Sequence, residues 1–291
     1  MSIYPIILSQ TKFAHRDSLQ YPFEERGLQF GDGIYEVIRI YHGEYYLLEE
    51  HVSRLFRSAE AVKIQLPFEK EELKTLLNTL LTKNDVQTDA KVYLQVTRGS
   101  APREHTFPVG VAANAYVYVK ALPRNLEFLE NGVGAITQRD VRWENCYIKS
   151  LNLLPNVMAK QEAKEHGCYE AILNRDGFVT ECSSSNVYLV KNGEIFTHPA
   201  TRNILHGCVR IRVEQFANRL GIPFNEDGFS VTDIETADEL FLSSSTSEIM
   251  PIVTVDDKPV ADGKPGKITQ QLQEAYVIDA NIETKKVEQT N

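Results

Sequence analysis

Two turn dipeptides in the second half of the chain constrain its fold most strongly. Asp176-Gly177 and Asn192-Gly193 each separate two short runs that are rich in β-branched and aromatic residues. Such dipeptides readily adopt the positive φ angles that a tight hairpin turn requires. The sequence therefore predicts two antiparallel hairpins there, and another where His42-Gly43 follows the alternating run 33–41.

Amphipathic helices alternate with these strands. Apolar residues recur at three- and four-residue spacings, which is the pattern of a helix with one buried face. The predicted helices are 49–62, 69–81, 153–166 and 207–220. Gly167 and Gly221 directly follow two of them and are typical of helix ends. Because the chain has 291 residues, this mixture predicts two domains or one large domain.

Charge and composition exclude several classes of function. The net charge of −9 argues against nucleic acid as a partner, because the phosphate backbone needs a basic surface. No run of about 18 apolar residues occurs, so we expect no membrane span, and the N-terminal run lacks the basic region of a signal peptide. The four cysteines lack metal-ligand spacing, so we expect reduced thiols, no metal and a cytoplasmic location.

One lysine lies in a setting that suits covalent chemistry. Lys149 stands between an apolar run and the start of a predicted helix. A lysine that is partly removed from water releases its proton more readily, and only the neutral amine attacks a carbonyl. Lys149 is therefore a candidate Schiff-base lysine, although an ordinary surface lysine fits the same pattern.

Three further features suggest an anion site and a partner for a ring nitrogen. Gly207 opens a helix, whose free N–H groups favour an anion, and the hydroxyl-rich run 243–247 follows a strand. An ordinary helix cap and a polar turn are the alternatives. Glu181 would hold a heterocycle nitrogen protonated if it were buried beside one, and would otherwise be a solvated carboxylate. Lysine, anion site and carboxylate together match the needs of pyridoxal 5'-phosphate.

The chain resembles the fold-type IV pyridoxal-phosphate enzymes, and within them the bacterial D-amino acid aminotransferases. The resemblance runs from about Arg26 to about Gly266, and matching segments occur in the same order in both halves. These segments are RGLQFGDGIYEV (26–37), HVSRL (51–55), QVTRGSAPREH (95–105), IKSLNLL (148–154), GCYEAI (167–172), TECSSSN (180–186) and ELFLSSSTSE (239–248).

This resemblance implies an α+β fold of two domains. A small N-terminal α/β domain would cover residues 1–120, and a connector would follow at 121–125. A larger, β-barrel-like domain with helices would bind the cofactor and cover residues 126–285. The polar end of the chain, 286–291, is expected to be frayed.

The resemblance also implies a role for each site residue. Lys149 would carry the cofactor and move the substrate proton, while Glu181 would pair with the ring nitrogen. The other cofactor contacts would be Arg54, the backbone of Cys208 and Val209 and the hydroxyls of Ser244 and Ser245 at the phosphate, with Leu205 and Ser184 beside the ring. Val209 stands where relatives often carry threonine, which removes one hydroxyl from the phosphate site.

The substrate carboxylate would bind to three residues: Tyr35, Arg103 and His105. In this family the loop that bears the last two is usually donated by the neighbouring subunit, so the resemblance implies a homodimer. The implied reaction transfers the amino group of a D-amino acid such as D-alanine to 2-oxoglutarate, so the expected partners are D-amino acids and 2-oxo acids.

Three other functions remain as alternatives at this point. An L-branched-chain aminotransferase and a 4-amino-4-deoxychorismate lyase share the lysine and the glutamate, but the loop with Arg103 and His105 favours the D-specific enzymes. A binding protein without catalytic activity would carry no lysine-bound cofactor, and the presence of both Lys149 and Glu181 argues against it.

Overall fold

The computed structural model describes residues 2–282, which form two compact units. Unit 1 consists of residues 2–124 together with Ile148–Asn152, and unit 2 consists of Asn125–Tyr147 and the described residues from Leu153 onward. The short segment Ile148–Asn152, which contains Lys149, thus packs with residues that are distant in sequence. The tail expected to be frayed, 286–291, lies outside the described residues.

Unit 1 is built on a six-stranded antiparallel sheet. Its strands are β1 (Ile6–Ser9), β2 (Lys12–His15), β3 (Gly33–Tyr41), β4 (Glu44–Tyr45), β5 (Ala90–Thr97) and β6 (Asn114–Ala121). They lie in the order β2-β1-β6-β5-β3-β4, and each neighbouring pair is antiparallel. His42 and Gly43 join β3 to β4 with φ angles of 50° and 82°, so the hairpin predicted there is confirmed.

Three helices belong to unit 1: α1 (Arg26–Phe30), α2 (Leu48–Ala61) and α3 (Lys70–Lys83). The last two lie within two residues of the predicted helices. α2 packs on β3 and on α3. The apolar side chains Leu55, Leu73 and Leu77 are almost completely buried, as is Ile38 of β3. The core of unit 1 therefore lies between the helices and one face of the sheet.

Unit 2 contains a nine-stranded mixed sheet. Its strands are β7 (Val133–Arg139), β8 (Glu170–Arg175), β9 (Phe178–Cys182), β10 (Asn186–Lys191), β11 (Glu194–Phe196), β12 (Phe224–Asn225), β13 (Glu239–Ser244), β14 (Glu248–Val255) and β15 (Lys258–Pro259). They lie in the order β12-β11-β10-β13-β14-β7-β8-β9, with β15 beside β14. Asp176-Gly177 and Asn192-Gly193 form the turns between β8 and β9 and between β10 and β11, all with positive φ, so both predicted hairpins are confirmed.

The helices of unit 2 are α4 (Leu126–Asn131), α5 (Leu154–Glu165), α6 (Cys208–Leu220), α7 (Val231–Ile234) and α8 (Lys267–Asp279). α6 begins after Gly207 and ends at Gly221, whose φ of 69° is the left-handed conformation expected of a glycine stop. Val213 and Phe216 of α6 are fully buried, and the helix packs on β13 and α8. This packing fixes where the N-terminus of α6 points.

Residues 2–282 contain neither a helix suited to crossing a membrane nor a cluster of metal-ligating side chains. No helix within this range is long and apolar enough to cross a membrane. Within the same range, no group of three or more histidine, cysteine, aspartate or glutamate side chains is placed to hold a metal ion.

A buried ion pair attaches α2 to the sheet of unit 1. Glu36 of β3 accepts hydrogen bonds from Arg54, whose Nε and Nη2 lie 2.7 and 2.8 Å from its two carboxylate oxygens. His51 lies 2.8 Å from the same carboxylate. Burial alone would raise the pKa of Glu36, but Arg54 and His51 outweigh it and hold this pKa well below its usual value. Glu36 is therefore charged in the folded protein.

We expect Glu36→Gln to lower the free energy of unfolding by about 3–5 kcal/mol at pH 7, because it leaves the Arg54 guanidinium buried without its counter-charge. The pKa of Glu36 is lower in the folded chain than in the unfolded chain. Its stabilising effect is therefore complete above the ordinary glutamate pKa of about 4.3 and declines as the pH falls below it. Urea unfolding at a series of pH values should show that the free energies of unfolding of the wild type and the variant converge in acid.

Glu49→Gln is the matched control for this experiment. Glu49 lies on the same helix and pairs with Lys74, but its side chain is 62% exposed, so its replacement should change the unfolding midpoint little at any pH. If the difference in the free energy of unfolding between wild type and Glu36→Gln stayed constant from pH 7 into acid, it would contradict this dependence of stability on the charge of Glu36.

Candidate active site

Lys149 is positioned by backbone pairing with the start of β3. β4 pairs only with the far end of β3, at Ile40 and Tyr41. The segment Ile148–Asn152 lies along the near end instead, where the Tyr35 N–H donates to the Lys149 carbonyl at 2.9 Å. The Leu151 N–H donates to the Gly33 carbonyl, also at 2.9 Å. These two bonds fix the register of the lysine on the strand.

The side chain of Lys149 is half-buried beside Tyr35 of β3. Its Nζ lies 3.3 Å from the hydroxyl oxygen of Tyr35 and 4.4 Å from the centre of the Tyr35 ring. The backbone N–H of Lys149 donates to the Ser58 hydroxyl at 3.2 Å. Lys149 is thus held from two sides, by β3 and by α2.

The same face of α2 carries the predicted phosphate-binding arginine. Arg54 and Ser58 are four residues apart, so their side chains leave the helix on one face. Ser58 contacts the Lys149 backbone, and Arg54 is held by Glu36. The structure therefore brings three predicted residues of unit 1, Tyr35, Arg54 and Lys149, into one connected group.

The other two predicted residues of unit 1, Arg103 and His105, lie on the loop between β5 and β6. Both are exposed, and both lie against the ring of Phe30 at the end of α1. The Arg103 guanidinium is 4.7 Å from the ring centre, and the His105 ring is 5.5 Å from it. Arg26 also packs on Phe30 and donates to the Glu104 carbonyl at 2.7 Å. Phe30 is thus the platform that orients this part of the loop.

The base of this loop is held by buried charges, while its surroundings are apolar and exposed. Arg98 donates to both carboxylate oxygens of Asp32 at 2.9–3.1 Å, and Arg26 donates to Asp32 at 2.8 Å. Apolar side chains of the loop and of the chain around α1 remain exposed to solvent, namely Phe23, Leu28, Phe107 and Val109.

In unit 2 the carboxylate of Glu181 is buried among hydrogen-bond donors. Nη1 of Arg142 lies 2.5 Å from Oε1, and Nδ2 of Asn186 lies 3.1 Å from Oε2. The Leu205 N–H points at both oxygens, at 3.2 and 3.1 Å. Burial raises the pKa of Glu181 above its usual value, and Arg142 and the Leu205 N–H act in the opposite direction.

The Asn186 side chain links Glu181 to residues 205–207, which lead into α6. Asn186 donates to the Leu205 carbonyl at 2.9 Å as well as to Glu181. Its Oδ1 lies so close to Gly207 that an added Cβ there would stand only 2.2 Å away. A glycine at position 207 therefore leaves the space that the Asn186 side chain occupies. The N-terminus of α6, with Cys208 and Val209, follows directly.

The hydroxyl-rich run lies next to Asn186 in the sheet. Ser243 of β13 is the register partner of Asn186 in β10, so the residues that follow it leave the sheet beside the start of β10. Ser244 Oγ accepts from the Ser247 N–H at 3.0 Å, which closes the turn that carries Ser244 and Ser245. Asn186 thus lies next to both the N-terminus of α6 and the strand end that carries these hydroxyls.

Ser184 belongs to a separate cluster around Glu170. The fully buried Glu170 accepts hydrogen bonds from the hydroxyls of Ser183, Ser184 and Ser185, and Ser184 is 2.6 Å from it. Lys160 lies 3.2 Å from the same carboxylate. This carboxylate therefore holds the three-serine turn that follows β9.

Several residues that hold the site had no assigned role in the sequence. Glu36 and Phe30 lie within a matched segment, as does Asn186, but nothing in their spacing showed what they contact. Arg142 and Asp140 lie outside every matched segment. The contact of Arg142 with Glu181 spans 39 residues of chain, so only the folded structure reveals it.

Comparison with known proteins gives the family. The sequence profile described as "Amino-transferase class IV" matches residues 33–255. The D-alanine aminotransferase of Bacillus licheniformis is 42% identical over 280 residues, which is 96% of this chain and 99% of that protein. The D-alanine aminotransferase of Listeria monocytogenes is 45% identical over 275 residues, 93% of this chain and 94% of that protein.

Solved structures show the same fold. A branched-chain aminotransferase from the archaeon Thermoproteus uzoniensis, determined with norvaline, has a TM-score of 0.89, 27% identity and 98% coverage of both chains. The branched-chain amino acid aminotransferase of Escherichia coli has a TM-score of 0.87, 25% identity and 93% coverage of both. The expected α+β fold of the fold-type IV enzymes is therefore confirmed, and the chain belongs to the class IV amino-transferase family.

Proposed function

We propose that this protein is a pyridoxal-phosphate-dependent D-amino acid transaminase. It transfers the amino group of D-alanine to 2-oxoglutarate and yields pyruvate and D-glutamate, with pyruvate leaving before 2-oxoglutarate binds. The observation that carries this choice is the likeness to D-alanine aminotransferases at 42–45% identity over more than nine-tenths of the chain. When bound, the cofactor withdraws electrons from the substrate α-carbon, which makes its proton acidic.

The residues of unit 2 suit the ring and the phosphate of this cofactor. Glu181 accepts hydrogen bonds from three groups, and a carboxylate can accept about four, so its chemistry suits one more N–H donor, a protonated ring nitrogen. The backbone N–H groups of Cys208 and Val209 at the start of α6 suit a phosphate, as do the hydroxyls of Ser244 and Ser245. Leu205 and Ser184 complete the proposed contacts beside the ring.

The residues of unit 1 supply the reactive amine and cationic groups. Lys149 would carry the cofactor through its Nζ, and the same amine would take the proton from the substrate α-carbon. Arg54 binds the phosphate as a charge-assisted donor, with Glu36 fixing its orientation. Tyr35, whose hydroxyl lies 3.3 Å from Nζ, binds the substrate carboxylate together with Arg103 and His105.

The working form is a homodimer in the cytoplasm. Exposed apolar side chains surround the loop that carries Arg103 and His105, and a second copy of the chain would cover them. This supports the proposal that the loop completes the site of the neighbouring subunit. None of the four cysteines, all of which lie within residues 2–282, forms a disulfide bond, which suits a reducing compartment.

The purified protein should show a visible absorbance band that comes from cofactor bound to a lysine. D-alanine should remove that band, while L-leucine should leave it unchanged. Lys149→Ala should abolish the band and lower the transamination rate by several orders of magnitude, because it removes both the attachment point and the base. Absorbance spectra and a pyruvate assay measure both effects.

Lys164→Ala on the exposed side of α5 is the matched control and should keep the band and the activity. If L-leucine removed the band and D-alanine did not, the protein would be a branched-chain aminotransferase instead. A band that persists in Lys149→Ala would show that another lysine carries the cofactor.

A hybrid dimer tests whether the loop that carries Arg103 completes the active site of the neighbouring subunit. Lys149→Ala and Arg103→Ala should each inactivate every site of their own homodimers. If the loop serves the neighbouring subunit, a hybrid with one subunit of each kind has one complete site, and it should show about half the wild-type activity. Co-expression with two different tags and purification through both isolates this hybrid. A hybrid as inactive as its parents would mean that the loop acts within its own subunit.

A further inference from the structure

Arg142 is the cation that contacts Glu181 in the described part of the chain, and nothing in the reaction as proposed above assigns it a task. It lies in the loop after β7, with a side chain that is 6% exposed. Nη1 contacts Glu181 at 2.5 Å, and Nε and Nη2 each lie 2.9 Å from an oxygen of Asp140. Its guanidinium thus bridges two buried carboxylates, in a geometry that only arginine provides.

The donors around Glu181 dictate its protonation state. Within residues 2–282, each group at hydrogen-bond distance from this carboxylate is a donor: Arg142, the Asn186 amide and the Leu205 N–H. The Asn186 amide is oriented by its second bond, to the Leu205 carbonyl, which can only accept. A protonated Glu181 would direct an O–H donor at other donors. The surroundings therefore match the carboxylate and oppose the neutral acid.

The charge of Arg142 is needed because Glu181 is buried. A carboxylate removed from water is destabilised relative to its neutral form, and burial indeed raises the pKa of Glu181. The Asn186 amide and the Leu205 N–H are neutral donors, whereas Arg142 supplies a full positive charge at contact distance. Without Arg142, the largest contribution that opposes protonation is lost.

Asp140 holds the guanidinium of Arg142 in place. Asp140 accepts from Arg142, from Arg175 Nε at 3.1 Å and from the Thr180 hydroxyl at 2.9 Å. The cluster thus contains two carboxylates and two guanidinium groups, so its charges balance. Arg175 belongs to the same network but contacts Asp140 rather than Glu181, which makes it a suitable control.

We propose that Arg142 is a positioning residue that keeps Glu181 ionised, so that Glu181 can hold the ring nitrogen of the cofactor protonated. This inference rests on the proposed function. Arg142 acts through Glu181 and touches neither cofactor nor substrate in this assignment. Its loss therefore matters only for a ligand that has a ring nitrogen.

Two probes isolate this effect: pyridoxal 5'-phosphate and its 1-deaza analogue, in which a C–H group replaces the ring nitrogen. Both carry the aldehyde and the phosphate, so all other contacts are common to both. Titration of the cofactor-free protein, followed by absorbance, gives a Kd for each. For Arg142→Gln, we expect the Kd of pyridoxal phosphate to rise about tenfold, while that of the deaza analogue changes less than about twofold. Arg142→Lys, which keeps a cation, should recover part of the loss.

Arg175→Gln is the matched control, because it removes a guanidinium from the cluster without touching Glu181. Any loss of affinity it causes should be equal for the two probes. An Arg142→Gln variant that binds both probes as the wild type does, or that loses affinity for both equally, overturns the inference. Failure of the wild type to bind pyridoxal phosphate would instead overturn the proposed function.

A second measurement does not depend on the folding of an arginine variant. The infrared difference spectrum between the wild type and Glu181→Gln at neutral pH reports the protonation state of Glu181. We expect the bands of an ionised carboxylate. A protonated carboxyl band from Glu181 would overturn the inference.

Discussion

The site in unit 1 depends on the pairing of Ile148–Asn152 with the start of β3. Two backbone hydrogen bonds set the register of this segment, so Lys149 lies beside Tyr35 and its backbone N–H reaches Ser58 of α2. A slip of one residue would turn the lysine to the other face of the strand. Because β4 pairs only with the far end of β3, the near end is available for this contact.

Each unit contains a buried glutamate with an arginine partner, Glu36 with Arg54 and Glu181 with Arg142, and the two glutamates differ in a way that matches their proposed tasks. Glu36 accepts two hydrogen bonds from Arg54 and lies beside His51, and its pKa is held well below the usual value. Glu181 accepts a single hydrogen bond from Arg142, and Arg142 also donates to Asp140. Burial raises the pKa of Glu181. The two hydrogen bonds from Arg54 fix the orientation of its guanidinium on Glu36. The proposed function gives Glu181 one further donor, the ring nitrogen of the cofactor.

Local sequence signals predicted the secondary structure well, because the forces that decide it act over a few residues. The dipeptides Asp176-Gly177 and Asn192-Gly193 form the predicted turns, and α6 begins after Gly207 as its pattern indicated. The partners of Glu181 were not predictable in the same way. Asn186 was visible within a matched segment, but its role depends on how the chain folds back at Leu205 and Gly207. The roles assigned to the individual site residues remain predictions.

The sequence by itself determined the helices α2, α3, α5 and α6, the hairpins, the family and the candidate set that includes Lys149 and Glu181. Periodicity, turn chemistry and the matched segments are all properties of neighbouring residues. Only the tertiary structure decided which charges neutralise which: Arg54 with Glu36, and Arg142 with both Asp140 and Glu181. The physical reason is that a buried charge selects its partner by distance in space, and these distances are set by the packing of strands and helices far apart in the chain.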